Sequence, residues 1–155
     1  MMNNALPPPQ QRHAKALALA SLVTIAALLV VGSVSSGVLR HLVQTAPSWL
    51  TVYLGFRQRG SAKWTALPVA LFWLAIMVFI WLYLLGWASI LRGHYSAVEI
   101  AMTIVVGLAS CFVIVQSLVF RSGVRWYAGL GISIVVLALQ LGALRLSLLP
   151  GIANH

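Results

Sequence analysis

The strongest constraint on this chain is a set of four long apolar runs in which charged residues are almost absent. They cover about 16–38, 66–91, 97–120 and 126–149. A helix needs about 20 mainly apolar residues to cross the hydrocarbon core of a bilayer, and each run is long enough. Hydrophobic residues make up 61% of the sequence and charged residues 7%, whereas about a quarter of a soluble domain is charged. The sequence therefore predicts an all-α integral membrane protein built as a four-helix transmembrane bundle.

The connections between these runs predict a single membrane domain over 16–150. Short links make successive helices antiparallel neighbours. Residues 1–15 are polar and rich in proline, which predicts an extended N-terminal tail, and 151–155 form a short C-terminal tail. Arg12 and Lys15 form a basic flank before an apolar run, which also resembles a secretory signal, so cleavage of the first helix stays open.

The stretch at 46–59 is too short to span a membrane but is amphipathic when read as a helix. Its apolar, largely aromatic face consists of Trp49, Leu50, Tyr53, Leu54 and Phe56. Its other face carries Ser48, Thr51, Gly55 and Gln58. This pattern predicts a short helix that lies in the membrane interface between transmembrane helices 1 and 2. An ordered loop packed against the bundle is the alternative.

Basic residues predict contacts with anionic lipid headgroups and set the orientation. Arg57, Arg59 and Lys63 follow the amphipathic stretch at the expected level of the headgroups. With four crossings, the loops at 40–65 and 121–125 carry more Lys and Arg than the opposite side, which favours a cytoplasmic location for them. The basic flank of the first helix argues the other way. The short loops suggest a bacterial inner membrane.

The charged and reactive residues exclude several function classes. The chain has ten Lys and Arg residues but a single acid, so no mechanism with paired carboxylates is available. The basic residues are scattered among apolar runs, which argues against a nucleic-acid partner. One cysteine excludes an intramolecular disulfide and a Cys-x-x-Cys pair. The four histidines lie in tails or near helix ends, so no haem, metal or other cofactor is predicted. Without a catalytic motif, we do not expect an enzyme.

Glu99 is the one acid, and Ser96 precedes it by three residues, which is the spacing of a capping box at a helix start. Helix capping is therefore the expected role, with proton or cation coupling as the alternative. Gln116, Gln140 and Arg145 lie within the third and fourth apolar runs. A glutamine in hydrocarbon usually hydrogen-bonds to a neighbouring helix. Together with Glu99 they are candidates for interhelical contacts or, alternatively, for a polar pathway.

The second apolar run is unusually aromatic. Trp73, Met77 and Phe79 lie well inside it and are expected to pack in the core or against lipid. The alternative is a flat surface for a ring-shaped ligand such as a quinone, a pigment or a sterol-like lipid.

Three function classes remain, of which an enzyme that acts on a lipid is the least favoured because no catalytic motif supports it. The few polar groups and the abundant small and aromatic faces favour a non-catalytic accessory or assembly subunit, with other membrane proteins or copies of itself as partners. The alternative is a small homo-oligomeric transporter, channel or lipid-handling protein.

Overall fold

A computed structural model describes residues 6–87 and 95–153 of the chain. Within that part the regular structure is helical. Five long helices and one short one follow in order: α1 (Pro8–Val34), α2 (Val38–Phe56), α3 (Ala62–Leu84), α4 (Ala97–Val119), α5 (Trp126–Ser147) and α6 (Pro150–Ala153). Four of them, α1, α3, α4 and α5, are long and apolar enough to cross a membrane. The prediction that these four segments form helices long and apolar enough to span a membrane is therefore confirmed. The last residues of the predicted 66–91 span lie partly outside the described residues.

The helix α1 begins at Pro8, well before the predicted start of the first span. The expectation of an extended tail through residue 15 is therefore wrong for residues 8–15. Proline is compatible with the first helical turn because the N–H groups there have no intrahelical acceptor. The polar segment that includes Arg12 and Lys15 continues the helix instead of preceding it.

The helices α1 and α2 form an antiparallel hairpin in contact along its length. Near the connecting turn, Gly32 lies against Val38 and His41. Near the other end, Gly55 lies against the backbone of Ala14. The two contacts are separated by most of the length of both helices, so α2 runs beside α1 and does not cross it at a steep angle.

The remaining long helices also alternate in direction. His13 of α1 hydrogen-bonds Gln116 near the end of α4. Trp64, at the start of α3, accepts a hydrogen bond through its carbonyl from Ser133 in the first half of α5. Lys63 of α3 donates to the carbonyl of Phe120, which follows α4. The starts of α1, α3 and α5 and the ends of α2 and α4 therefore lie together.

We call this the basic end, because most of the chain's cations lie there. They are Arg12, Lys15, Arg57, Arg59, Lys63, Arg121 and Arg125. The opposite end, here called the distal end, contains residues 35–41, 84–87, 95–99 and 144–153. The helices pack side by side. Helix α1 contacts α2 and α4, helix α3 contacts α4 and α5, and helix α2 also contacts α3 and α5.

The predicted interfacial helix at 46–59 is part of the longer helix α2, which starts at Val38 and ends at Phe56. Its two faces separate as the sequence predicts. Trp49 and Tyr53 are exposed, whereas Ser48 and Thr51 are buried. The polar face is the one turned into the bundle, where Thr51 donates a hydrogen bond to Thr65 of α3 at 3.2 Å.

Three helix ends share one hydrogen-bonding pattern. The residue after the cap takes a left-handed conformation at Ser36 (φ 55°), Gln58 (φ 52°) and Gly86 (φ 77°). In each case the following amide donates back to a carbonyl five residues earlier, as Arg59 does to Leu54. This is the Schellman arrangement, in which glycine is usually preferred. It turns the chain sharply enough for α2 to return along α1.

Candidate functional site

The distal half of the bundle contains a cavity of about 570 Å³ lined by residues from all five long helices. Clefts of roughly 300–1,000 Å³ are typical of small-molecule sites. The buried residues Trp73 and Val106 line the cavity, which extends to Ser35, Tyr95 and Leu148 near the distal end. It is therefore the candidate functional site.

The walls of the cavity are mainly apolar. Trp73, Met77 and Phe79, which the sequence singled out as either core or ligand surface, all line it. Trp73 and Met77 are buried, and the ring of Phe72 meets the indole of Trp73 edge to face at 5.4 Å between centroids. These side chains form a fixed aromatic and thioether wall against which a hydrocarbon chain or a ring can pack.

The charged and ring-bearing polar side chains of the cavity, Arg40, His41, Tyr95 and Glu99, lie at its distal end, here called its mouth, whereas Gln44 and Thr103 line it further in. The carboxylate Oε2 of Glu99 accepts from the backbone N–H of Ser96 at 2.7 Å and from its hydroxyl at 2.8 Å. The Ser96 hydroxyl accepts in turn from the Glu99 amide, which completes the predicted capping box. Glu99 is therefore both the helix cap and part of the cavity wall.

Arg40 contributes the cation at the mouth. Its Nε atom is buried and has no hydrogen-bond partner among the described residues. A buried donor of a charged group that lacks an acceptor is unfavourable by about 1–3 kcal/mol or more. An anionic oxygen bound at this point would satisfy it.

The neighbouring side chains supply further hydrogen-bonding groups. The Nδ1 atom of His41 lies 2.9 Å from the carbonyl of Gly37 and must carry the proton to donate to it, which leaves Nε2 as an acceptor in the neutral ring. Burial, and then the nearby Tyr83 and Glu99, raise the pKa of Tyr95, so its hydroxyl stays protonated at neutral pH. The mouth therefore combines a cation, a carboxylate, a neutral phenol and an imidazole.

The four residues predicted as polar contacts do not gather at one place. Glu99 lines the cavity. Gln140 is fully buried and donates to the carbonyl of Gln44 on α2 at 3.1 Å, while its own Oε1 has no partner within the described structure. Gln116 pairs with His13 near the basic end. Arg145 is exposed on α5. Two of them thus make interhelical hydrogen bonds, and their functional roles stay predictions.

The residues predicted to contact anionic lipid lie at the basic end. Arg57 stacks over the ring of Tyr53 at 5.6 Å, and Arg59 is exposed. Lys63 donates to the carbonyl of Phe120 at 3.1 Å and lies over the ring of Trp64. None of the three lines the distal cavity.

Sequence reasoning missed Arg40 and His41, because it placed both in a loop. The available signal was their position between apolar pairs, Val38–Leu39 before and Leu42–Val43 after, which is typical of a helix. Within the described residues no group of three or more His, Cys, Asp or Glu side chains is arranged to hold a metal ion.

Comparison of the chain with protein-family models, curated proteins and solved structures finds no match in any of the three. The distal cavity is therefore the main indication of its function.

Proposed function

We propose that this protein is a membrane protein of five crossings that binds an anionic, lipid-like amphiphile in the distal cavity. The observation that carries the proposal is the cavity itself, which joins an apolar wall to a mouth with an unpartnered arginine nitrogen. Lipid handling is thereby favoured over the other predicted function, a non-catalytic accessory subunit, for which no comparable site is described.

The fifth crossing is α2. Its 19 residues extend about 28 Å at 1.5 Å per residue, close to the thickness of the hydrocarbon core. It runs beside α1, which is itself long and apolar enough to span. Its outward side chains, such as Leu42, Trp49 and Tyr53, are apolar or aromatic. Its uncharged polar side chains are buried (Gln44, Thr45, Ser48 and Thr51), and the partly buried Arg40 and His41 lie in its first turn at the distal end. This is the distribution that a helix in contact with lipid requires.

Five crossings put the two ends of the described chain on opposite sides of the membrane. The basic flank of the first helix and the basic loops, which indicate opposite orientations in a chain of four crossings, then agree. Arg12 and Lys15 then lie on the same side as the connections at 57–61 and 120–125. Of the described residues, Arg40 and Arg145 lie at the distal end together with the acid Glu99, and Arg92 lies in the sequence between α3 and α4. The excess of Lys and Arg near the basic end favours a cytoplasmic location for it. The distal cavity then opens in the half of the bilayer away from the cytoplasm.

An anionic amphiphile fits this cavity by chemistry. The apolar wall accommodates an acyl chain or a ring, but a lipid chain leaves an equally apolar bilayer, so the preference for one ligand must come from the polar mouth. A phosphate or carboxylate at the mouth accepts hydrogen bonds from the Arg40 guanidinium. The Glu99 carboxylate accepts from Ser96, and among the described residues the buried Nε of Arg40 has no acceptor, so this donor is left for an anionic oxygen of the ligand. A bacterial inner membrane and association with other subunits stay predictions.

The test is native mass spectrometry of delipidated protein titrated with phosphatidylglycerol or phosphatidylcholine of identical acyl chains. We expect stoichiometric binding with a preference for the anionic lipid. Arg40→Gln should abolish that preference, whereas Arg121→Gln, which removes a charge at the basic end, should retain it. Ile80→Trp, on the cavity wall, should block both lipids, whereas Leu118→Trp, on an exposed face of α4, should not.

Equal binding of the two lipids, or unchanged binding by Ile80→Trp, would contradict the proposal. A bound mass that matches a ring-shaped lipid would identify a different ligand class in the same cavity. Stoichiometric foreign subunits in place of lipid would favour the accessory function.

A further inference from the structure

The centre of the bundle contains a second, much smaller void of about 10 Å³. It lies at the point where polar side chains from several helices converge. They are Ser21 and Thr24 of α1, Ser48 of α2, Trp73 of α3 and Ser110 of α4. The remaining lining is formed by small apolar residues.

Two polar atoms of this lining lack partners. The hydroxyl of Ser48, a residue 1% exposed, and the indole Nε1 of Trp73, a residue 4% exposed, have no hydrogen bond within the described structure. Buried polar groups are nearly always paired with protein or with ordered water. In the interior of a membrane protein bulk water is not there to replace the missing partner.

The size and chemistry of the void fit one occupant. A water molecule needs about 10–15 Å³ of such space and two to four polar partners. An indole N–H only donates, so the occupant must accept a hydrogen bond from Trp73. The same occupant can also form a hydrogen bond with the Ser48 hydroxyl, which both donates and accepts. No charged residue lines the void, so it lacks the ligands of a metal ion. We infer that one ordered water molecule is bound between Ser48 and Trp73.

This water has a structural consequence for the cavity. Trp73 lines both the void and the distal cavity, so its position is common to the two. By accepting a hydrogen bond from the indole N–H, the water fixes the orientation of the Trp73 ring in the wall of the distal cavity. The inference does not depend on which ligand, if any, occupies the cavity above.

The test is solution NMR of the protein in micelles with ¹⁵N-labelled tryptophan, in which the Trp73 indole signal is assigned by its loss in Trp73→Phe. We expect a cross peak between that indole proton and a long-lived water in the wild-type protein. Ser48→Ala removes a partner of the water and should weaken this peak and shift the indole proton upfield. Ser133→Ala is the matched control, because Ser133 donates to the Trp64 carbonyl and does not line the void. It should leave the Trp73 signal unchanged.

Absence of the water cross peak in the wild-type protein would overturn the inference. So would an indole signal that responds equally to Ser48→Ala and Ser133→Ala. Because the cross peak is observed in the unmodified protein, the result does not depend on whether Ser48→Ala is stable; Trp73→Phe is needed only for assignment.

Discussion

The close contact between α1 and α2 at Gly55 makes a quantitative prediction. A Cβ atom added to Gly55 would lie 2.6 Å from the carbonyl oxygen of Ala14 and 2.8 Å from the Cβ of Ala18. Neither atom is the end of a flexible side chain, so the two helices must move apart to accommodate it. We therefore expect Gly55→Ala to destabilise the protein.

The magnitude follows from two opposing effects. Overpacking in a tight interface costs about 1–3 kcal/mol. Replacing glycine by alanine within a helix returns about 0.5–1 kcal/mol. Gly142 on α5 supplies the matched control, because a Cβ there has no other atom within 4 Å. Gly142→Ala should therefore be neutral or stabilising, and the difference between the two variants should be about 1–3 kcal/mol, since the helix-propensity effect is common to both.

The assay is reversible unfolding in mixed micelles, titrated with sodium dodecyl sulfate and followed by circular dichroism. If α2 lay flat in the interface away from α1, residue 55 would have no close neighbour. Gly55→Ala would then behave like Gly142→Ala, and equal stabilities of the two variants would refute the hairpin.

Three further predictions use the same unfolding assay. Gln58 and Gly86 both have positive φ, which favours glycine. Gln58→Gly should therefore stabilise the protein by about 1 kcal/mol and Gly86→Ala should destabilise it by a similar amount. Effects of the same sign for the two variants would refute this reasoning. Ser96→Ala removes the cap of α4 and should cost about 1 kcal/mol, so an unchanged midpoint would contradict the capping role. Gln140→Leu removes one hydrogen bond to Gln44 but also an unpartnered oxygen, so we expect a change below about 1 kcal/mol, and a much larger loss would indicate a further partner.

The long apolar runs and the cap of α4 were predictable from sequence because each depends on local pattern. Span length follows from consecutive apolar residues, and the capping box follows from the three-residue spacing of Ser96 and Glu99. The division of α2 into an aromatic and a polar face was also predictable, since helical periodicity is a local property.

The location of α2 was not predictable in the same way. Its polar side chains, including Gln44 and Thr45, lower its hydropathy below that of a typical span, and only tertiary contacts reveal that they are buried. Pro47 adds a local signal against a continuous helix, although α2 continues through it. A polar face that pairs with other helices looks, in sequence, like a face exposed to water.

The cavity was beyond sequence reasoning for a related reason. Its walls come from residues far apart in the chain, such as Ser35, Trp73 and Leu148. The aromatic run was visible as a candidate ligand surface, but its pairing with Arg40 depends on the return of α2 along α1. The return of α2 along α1 could not be predicted from the sequence, and both the fold and the cavity depend on it.

The number of crossings is the central claim, because it determines the side of the membrane on which the cavity opens. The most direct measurement is labelling of single cysteines from outside intact cells with a membrane-impermeant maleimide, in a Cys111→Ser background. Pro7→Cys and Gly151→Cys lie at exposed positions near the two ends of the described chain. Five crossings with a cytoplasmic basic end predict that Gly151→Cys is labelled and that Pro7→Cys is labelled only after the cells are permeabilised. Labelling of both positions in intact cells, or of neither, would place the two ends on one side and contradict the fifth crossing.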